Sequence, residues 1–169
     1  MILIVLFVII IVFVFIKKTK LKTGFENSKM SCKKKYNFSS RSLARLDGVN
    51  PLLVDIIKAS ILCAPYDFGI AWLGGYRTAE QQHTLYMSNT PTKWVTSKDG
   101  YIKKSYHQTG NAVDIVIYDE NRQITWKPSY FKAVAKHILK VAQEQFNVSL
   151  EWGGNWNRKD WGHFQIKTF

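Results

Sequence analysis

The stretch Ser105-Tyr-His-Gln-Thr-Gly-Asn-Ala-Val-Asp-Ile115 constrains this chain more than any other, because it begins as a loop and ends as a strand with a carboxylate in it. From Ala112 the pattern alternates. Val113, Ile115 and Ile117 share one face, and Ala112, Asp114, Val116 and Tyr118 share the other. Aspartate is disfavoured in mid-strand. A buried carboxylate there needs a paired charge or a metal ion. His107 lies seven residues earlier, on the far side of Gly110. A sharp turn at Gly110 would fold His107 back beside Asp114. That is half of a metal site.

The C-terminal segment from Glu151 to Gln165 offers the other half. Of the four histidines, His83 and His137 fall inside helical patterns among polar neighbours and read as solvated or packing residues. His163 opens a short strand and stands three residues after Asp160. Two histidines and one carboxylate make a three-ligand zinc set with a fourth position left for water. Asp160 is spaced to flank the ion without binding it and to accept a proton from that water. Glu151 lacks this spacing and reads as structural or substrate-facing.

The first sixteen residues carry no polar side chain. That is slightly short of the roughly 20 residues of a spanning helix, but flanking lysines can snorkel. No basic residue precedes the run and no small-residue cleavage site follows it, so a retained anchor is favoured over a cleaved signal. Residues 17–40, rich in Lys and Ser, read as a flexible tether, and residues 41–169 as the domain. The formal net charge of +12 is uneven, with +7 in residues 1–40 and +5 in the rest. A mildly basic domain suits an anionic polymer. No arginine-rich helix or stacking-aromatic module points to nucleic acid. Cys32 and Cys63 belong to no CxxC pair, which argues against a thiolate metal site. Their separation establishes neither a disulfide nor a compartment, and Cys63, at the end of an apolar helical pattern, reads as a small buried hydrophobe.

Asn50-Pro51 caps and opens a helix whose face is Leu52, Leu53, Ile56, Ile57, Ser60 and Ile61. Residues 68–73 read as a short strand. Thr78-Ala-Glu-Gln81 is a capping-box pattern opening a helix to about Met87. Residues 89–104 form a polar loop. A hairpin turn at 119–122 leads to a second strand at 123–126, and Ser129 is placed to cap a helix reaching Phe146. Residues 150–152 and 163–166 are further strands. The mixture lacks regular βαβ alternation, so an α+β fold with an antiparallel sheet and flanking helices is expected.

Three ordered motifs then coincide. Ser105, His107, Gly110, Ala112 and Asp114 fit Ser-x-His-x-x-Gly-x-Ala-x-Asp; Asp160 and His163 fit Asp/Glu-x-x-His; and Gly75-Tyr-Arg-Thr78 stands upstream. Over residues 41–169 the chain resembles the zinc peptidases of the Hedgehog/DD-peptidase fold. Trp152-Gly-Gly-Asn-Trp156 is most similar to their L-alanyl-D-glutamate endopeptidase branch, which includes phage endolysins. The resemblance implies that His107, Asp114 and His163 hold Zn2+ and that Asp160 is the general base. It further implies that Arg77 binds a substrate carboxylate or the oxyanion, that Ser105 bonds substrate or a ligand, and that Trp152 faces substrate. The implied partner is a peptidoglycan stem peptide, cut at L-Ala–D-Glu, by a monomer. A D-Ala–D-Ala carboxypeptidase and a non-catalytic zinc-containing binding module are the alternatives. Such a substrate places the domain on the wall side of a membrane. The lysines after residue 16 favour the cytoplasmic side, which leaves export with retention, a releasable anchor and a lysis-dependent route all open.

Overall fold

The computed structural model describes Cys32 and residues 35–167. The expected anchor at 1–16 and nearly all of the tether to residue 34 lie outside the described residues. Among those that are described, no helix is long and apolar enough to cross a membrane.

Among the described residues there are four α-helices and five strands: α1 (Ser40–Ala44), α2 (Pro51–Ile61), β1 (Phe68–Ile70), α3 (Ala79–Met87), β2 (Ala112–Tyr118), β3 (Ile124–Thr125), α4 (Pro128–Phe146), β4 (Leu150–Trp152) and β5 (His163–Ile166). The strands are all antiparallel. They run in the order β1-β2-β5-β4, and β3 pairs with the end of β2. This is the α+β architecture the sequence leads one to expect.

The alternation in β2 divides the sheet into two functional faces. Val113, Ile115 and Ile117 are buried with Phe164 of β5 and Leu150 and Trp152 of β4. They pack with Leu53, Ile56 and Ile57 of α2 and Phe131, Val134 and Ile138 of α4 into one apolar core. Burial of a side chain of this size contributes about 1.5–3 kcal/mol, so this layer carries the fold. The opposite face presents Asp114, His163, Gln165 and Glu151, because strand residues two apart share a side. Asp114 stands directly across from His163, and Gln165 across from Glu151.

Local capping fixes the ends of the helices. The Asn50 side chain accepts the Leu52 N–H at 3.0 Å, with Pro51 at the first position of α2. Thr78 and Gln81 form the reciprocal capping box of α3. Two expectations are corrected, on Ser129 and on Cys63. Helix α4 starts at Pro128 behind Lys127, which makes no side-chain cap, so Ser129 lies inside the first turn. The packed unit begins at Cys32, ahead of residue 41, because Tyr36 and Phe38 lie against the core and Phe38 meets Phe68 edge-on at 5.4 Å. Cys63 is half-buried and forms a disulfide with Cys32, which pins this N-terminal stretch to the end of α2.

Candidate metal centre and its surroundings

Gly110 shapes the segment that carries His107. Residues Tyr106–Thr109 form one turn of 3-10 helix, capped by Ser105, and the turn ends at Gly110 with φ +72°. A Cβ on Gly110 would lie 2.6 Å from the Gly48 carbonyl oxygen, so conformation and space both demand glycine. The Asn50 N–H donates to the Gly110 carbonyl at 2.9 Å, and the Asn50 amide donates to Asn111 Oδ1 at 2.9 Å. The start of α2 thereby holds the turn in place. Ser105 and Gln108 bond reciprocally, and the Ser105 hydroxyl also accepts the His107 N–H at 3.4 Å. Ser105 thus supports the backbone of His107.

His107 folds back as the spacing suggests. Its Nε2 lies 3.3 Å from Asp114 Oδ2 and 3.3 Å from His163 Nδ1. His163 Nδ1 lies 2.8 Å from Asp114 Oδ1. The three candidate donor atoms all fall within 4.8 Å of one another. Both rings are further held from behind. His107 Nδ1 donates to the Gly75 carbonyl at 2.8 Å, and His163 Nε2 donates to Gln165 Oε1 at 2.9 Å. In neutral rings these bonds leave His107 Nε2 and His163 Nδ1 as lone pairs aimed at each other and at a carboxylate. Three buried or half-buried acceptors pointing inward need a proton or a cation between them. Two imidazoles and one carboxylate fit zinc, and their outer hydrogen bonds are the kind that orient metal-binding histidines.

The electrostatics follow from this crowding. Burial would raise the Asp114 carboxyl, but the charge and hydrogen bonds of His107, then of His163, hold it well below the ordinary aspartate range. Burial would lower His163, yet the hydrogen bond and charge of Asp114, aided by Gln165 and Asp160, raise it. Asp160 shifts upward, first through desolvation and then through repulsion from Asp114, against the pull of His163, His107 and Arg77. The residue as a whole stays accessible to solvent, so this burial is partial. That combination suits a proton acceptor.

The segment holding Asp160 is set by Gly153. The Gly153 carbonyl accepts the N–H groups of both Trp156 and Asp160 at 3.1 Å, and a Cβ on Gly153 would meet the Asp160 carbonyl oxygen at 2.6 Å. Trp152, expected to face substrate, lies among the buried residues. It is 8% exposed, stacks on Phe164 and donates its indole N–H to the Trp161 carbonyl at 2.9 Å, so it packs beneath the site.

Arg77, expected to meet a substrate carboxylate or the oxyanion, is engaged by acceptors of the protein itself. It is 8% exposed, and it donates through Nε to the Leu73 carbonyl, through Nη1 to Gln82 Oε1 at 3.2 Å and through Nη2 to Asp114 Oδ2. Gln82 is fully buried and donates onward to the Lys98 carbonyl at 3.0 Å and to Thr96 at 3.3 Å. Arg77 therefore steadies Asp114, and Gln82 ties that pair to the 89–104 loop. His83 and His137 stay outside the site, bonded to the carbonyls of Asp99 and Ser60, each at 3.0 Å.

Sequence reading alone overlooked Gln82 and Gln165. Nothing in a mid-helix glutamine marks Gln82. Gln165 does carry a signal, since it sits two residues after His163 on a strand and must share its face.

Comparison with known proteins agrees with this geometry. Residues 34–169 match the family described as phage L-alanyl-D-glutamate peptidase. The peptidoglycan L-alanyl-D-glutamate endopeptidase CwlK of Bacillus subtilis (strain 168) is 30% identical over 97 residues, which are 54% of this chain and 57% of that protein. The matched stretch thus spans little more than half of that curated relative's length. The crystal structure of the Serratia marcescens L-Ala D-Glu endopeptidase ChiX superposes with a TM-score of 0.64 at 27% identity, covering 79% of this chain and 92% of that one.

Proposed function

Since the chain belongs to the phage L-alanyl-D-glutamate peptidase family, we propose that it is a zinc-dependent peptidase that hydrolyses the L-Ala–D-Glu bond of peptidoglycan stem peptides. The observation that carries this reading is the convergence of His107 Nε2, Asp114 and His163 Nδ1 within 4.8 Å, with the outer nitrogens of both rings already engaged.

The role of each residue follows from its surroundings. His107, Asp114 and His163 would hold the ion. Zinc, when bound, supplies Lewis acidity toward the scissile carbonyl and lowers the pKa of water. Asp160 takes the proton of the attacking water and returns it to the departing D-Glu amine, a transfer that contributes about 10²–10⁴-fold. Arg77 holds Asp114 Oδ2, so that the carboxylate keeps one orientation. Ser105 keeps the His107 turn closed.

The same reading extends to location. A stem peptide is reached on the wall side of a membrane, and a Cys32–Cys63 disulfide belongs in an oxidising setting. We place the peptidase unit outside, with residues 1–16 as a retained anchor.

Incubation with purified muropeptides and mass spectrometry of the products tests the bond assignment. New peptides beginning at D-Glu are expected. Release of terminal D-Ala alone would move the chain to the carboxypeptidase alternative, and intact muropeptides in the presence of zinc would leave a binding module.

A further inference from the structure

We infer that Glu151 is a positioning residue for His163, acting through Gln165 to decide which ring nitrogen is free for a metal. The inference deepens the zinc reading above and rests on it for the identity of the ion.

Two acceptors compete for the His163 proton. Asp114 Oδ1 stands 2.8 Å from Nδ1, and Gln165 Oε1 stands 2.9 Å from Nε2. A metal needs Nδ1 bare, so the proton must stay on Nε2. Gln165 can hold it there only while its amide is turned with the oxygen toward His163. An isolated glutamine amide is indifferent to being turned over. Glu151 removes that freedom. Its Oε2 accepts the Gln165 amide NH2 at 3.0 Å, and its Oε1 accepts the Trp156 indole N–H at 2.7 Å. Lys167 Nζ lies 3.8 Å from Oε2. A carboxylate accepts at both oxygens and donates at neither. The NH2 of Gln165 therefore faces Glu151, its oxygen faces His163, and the His163 proton resides on Nε2. The strand register builds this line, because Glu151 is paired with Gln165 across β4 and β5. Trp156 also lies over His163, with ring centres 5.0 Å apart.

Glu151→Gln is nearly isosteric, and it breaks the logic without emptying the site. The new amide has one accepting end and one donating end, yet two hydrogen-bonded donors, Trp156 and Gln165, face it. If its oxygen keeps Trp156, its NH2 confronts the NH2 of Gln165, which turns over. Gln165 then offers NH2 to His163 Nε2. The proton leaves Nε2 for solvent, and the ring proton that remains sits on Nδ1 beside Asp114, at the atom the metal requires. Adding Trp156→Phe removes one of the two donors and lets the new amide turn its oxygen to Gln165.

Two readouts decide the matter: the hydrogen-bonded His163 Nε2–H resonance by NMR, followed in metal-free and zinc-loaded protein, and zinc affinity by chelator competition. Wild type is expected to show a slowly exchanging Nε2–H in both forms. Glu151→Gln should lose that signal in the metal-free protein and bind zinc about 10–100-fold more weakly. The Glu151→Gln, Trp156→Phe double variant should regain the signal and most of the affinity. A Glu151→Gln variant that keeps both the Nε2–H signal and wild-type affinity overturns the inference. A wild type that binds no zinc would sink the metal reading alone, since loss of the metal-free Nε2–H signal in Glu151→Gln would still support the relay and its persistence would refute it.

Discussion

Alanine in place of His107, Asp114 or His163 removes one of three converging donors, whereas alanine at Asp160 removes a group beside them. Each of the first three variants is therefore expected to lose bound zinc. Asp160→Ala should retain zinc and lose about 10²–10⁴-fold in turnover. Metal analysis alongside muropeptide turnover separates the two classes, and zinc loss in Asp160→Ala would make it a ligand. Arg77 yields a different prediction. Its three donors reach three separate acceptors in a fixed fork, which lysine lacks. Arg77→Lys should leave Gln82 Oε1 and Asp114 Oδ2 unmatched and weaken zinc binding by about tenfold or more, read by chelator competition. At this scale the primary sequence displays the candidate ligands, because mid-strand Asp114 and the Asp160–His163 spacing are chemical oddities in one short segment each. It does not display the pairing of Arg77 with Asp114, which lies 37 residues away. It also hides Trp152's burial, which depends on Phe164 and Trp161 closing around it.

Elements defined by local chemistry are the readable ones. Thr78 to Gln81 announces α3 because both halves of the capping box lie within four residues. The alternation of β2 predicts its two faces because only one of them meets α2 and α4. The start of α4 is harder to place: Ser129 looks like a cap, but Pro128 takes the first helical position and Lys127 leaves the end without a side-chain cap. Gly110 belongs to this scale too. Gly110→Ala should destabilise the fold by about 1–3 kcal/mol, since the left-handed backbone and the Gly48 carbonyl both oppose a Cβ. Urea unfolding measures this, and an unchanged midpoint would contradict the proposed turn. His137 joins α4 to α2 through the Ser60 carbonyl. Burial, followed by the charge of Lys140, lowers its pKa despite that hydrogen bond. Its neutral form thus stabilises the folded state fully above the ordinary histidine value of 6.5. That contribution falls as pH drops below this value toward the lower folded one, because only the unfolded chain then takes up the proton. The wild-type urea midpoint should drop more steeply below that value than that of His137→Gln. Parallel curves would deny His137 this role.

For the molecule as a whole, the packed unit and its candidate metal centre are one construction. The sheet turns one face to the helices for stability and leaves the other for chemistry, so the residues that fix strand register also fix the site. The Cys32–Cys63 bridge closes a loop with a separation of 31 residues. Its removal by Cys32→Ser should cost about 3–4 kcal/mol in oxidised protein and nothing after reduction, as judged by denaturant midpoints. No pattern in the sequence could pair these cysteines, because their proximity depends on Tyr36 and Phe38 bringing the chain back across the core. The wall-side placement of this unit is tested by protease treatment of intact spheroplasts, where digestion supports it and full protection refutes it. The most direct test of the central claim, that the His107–Asp114–His163 centre drives peptide hydrolysis with zinc, is titration of chelator-stripped protein with zinc while muropeptide cleavage is followed. Turnover should rise linearly to a plateau at one equivalent and stay flat for His163→Ala; cleavage that proceeds without metal, or that His163→Ala recovers equally, would contradict it.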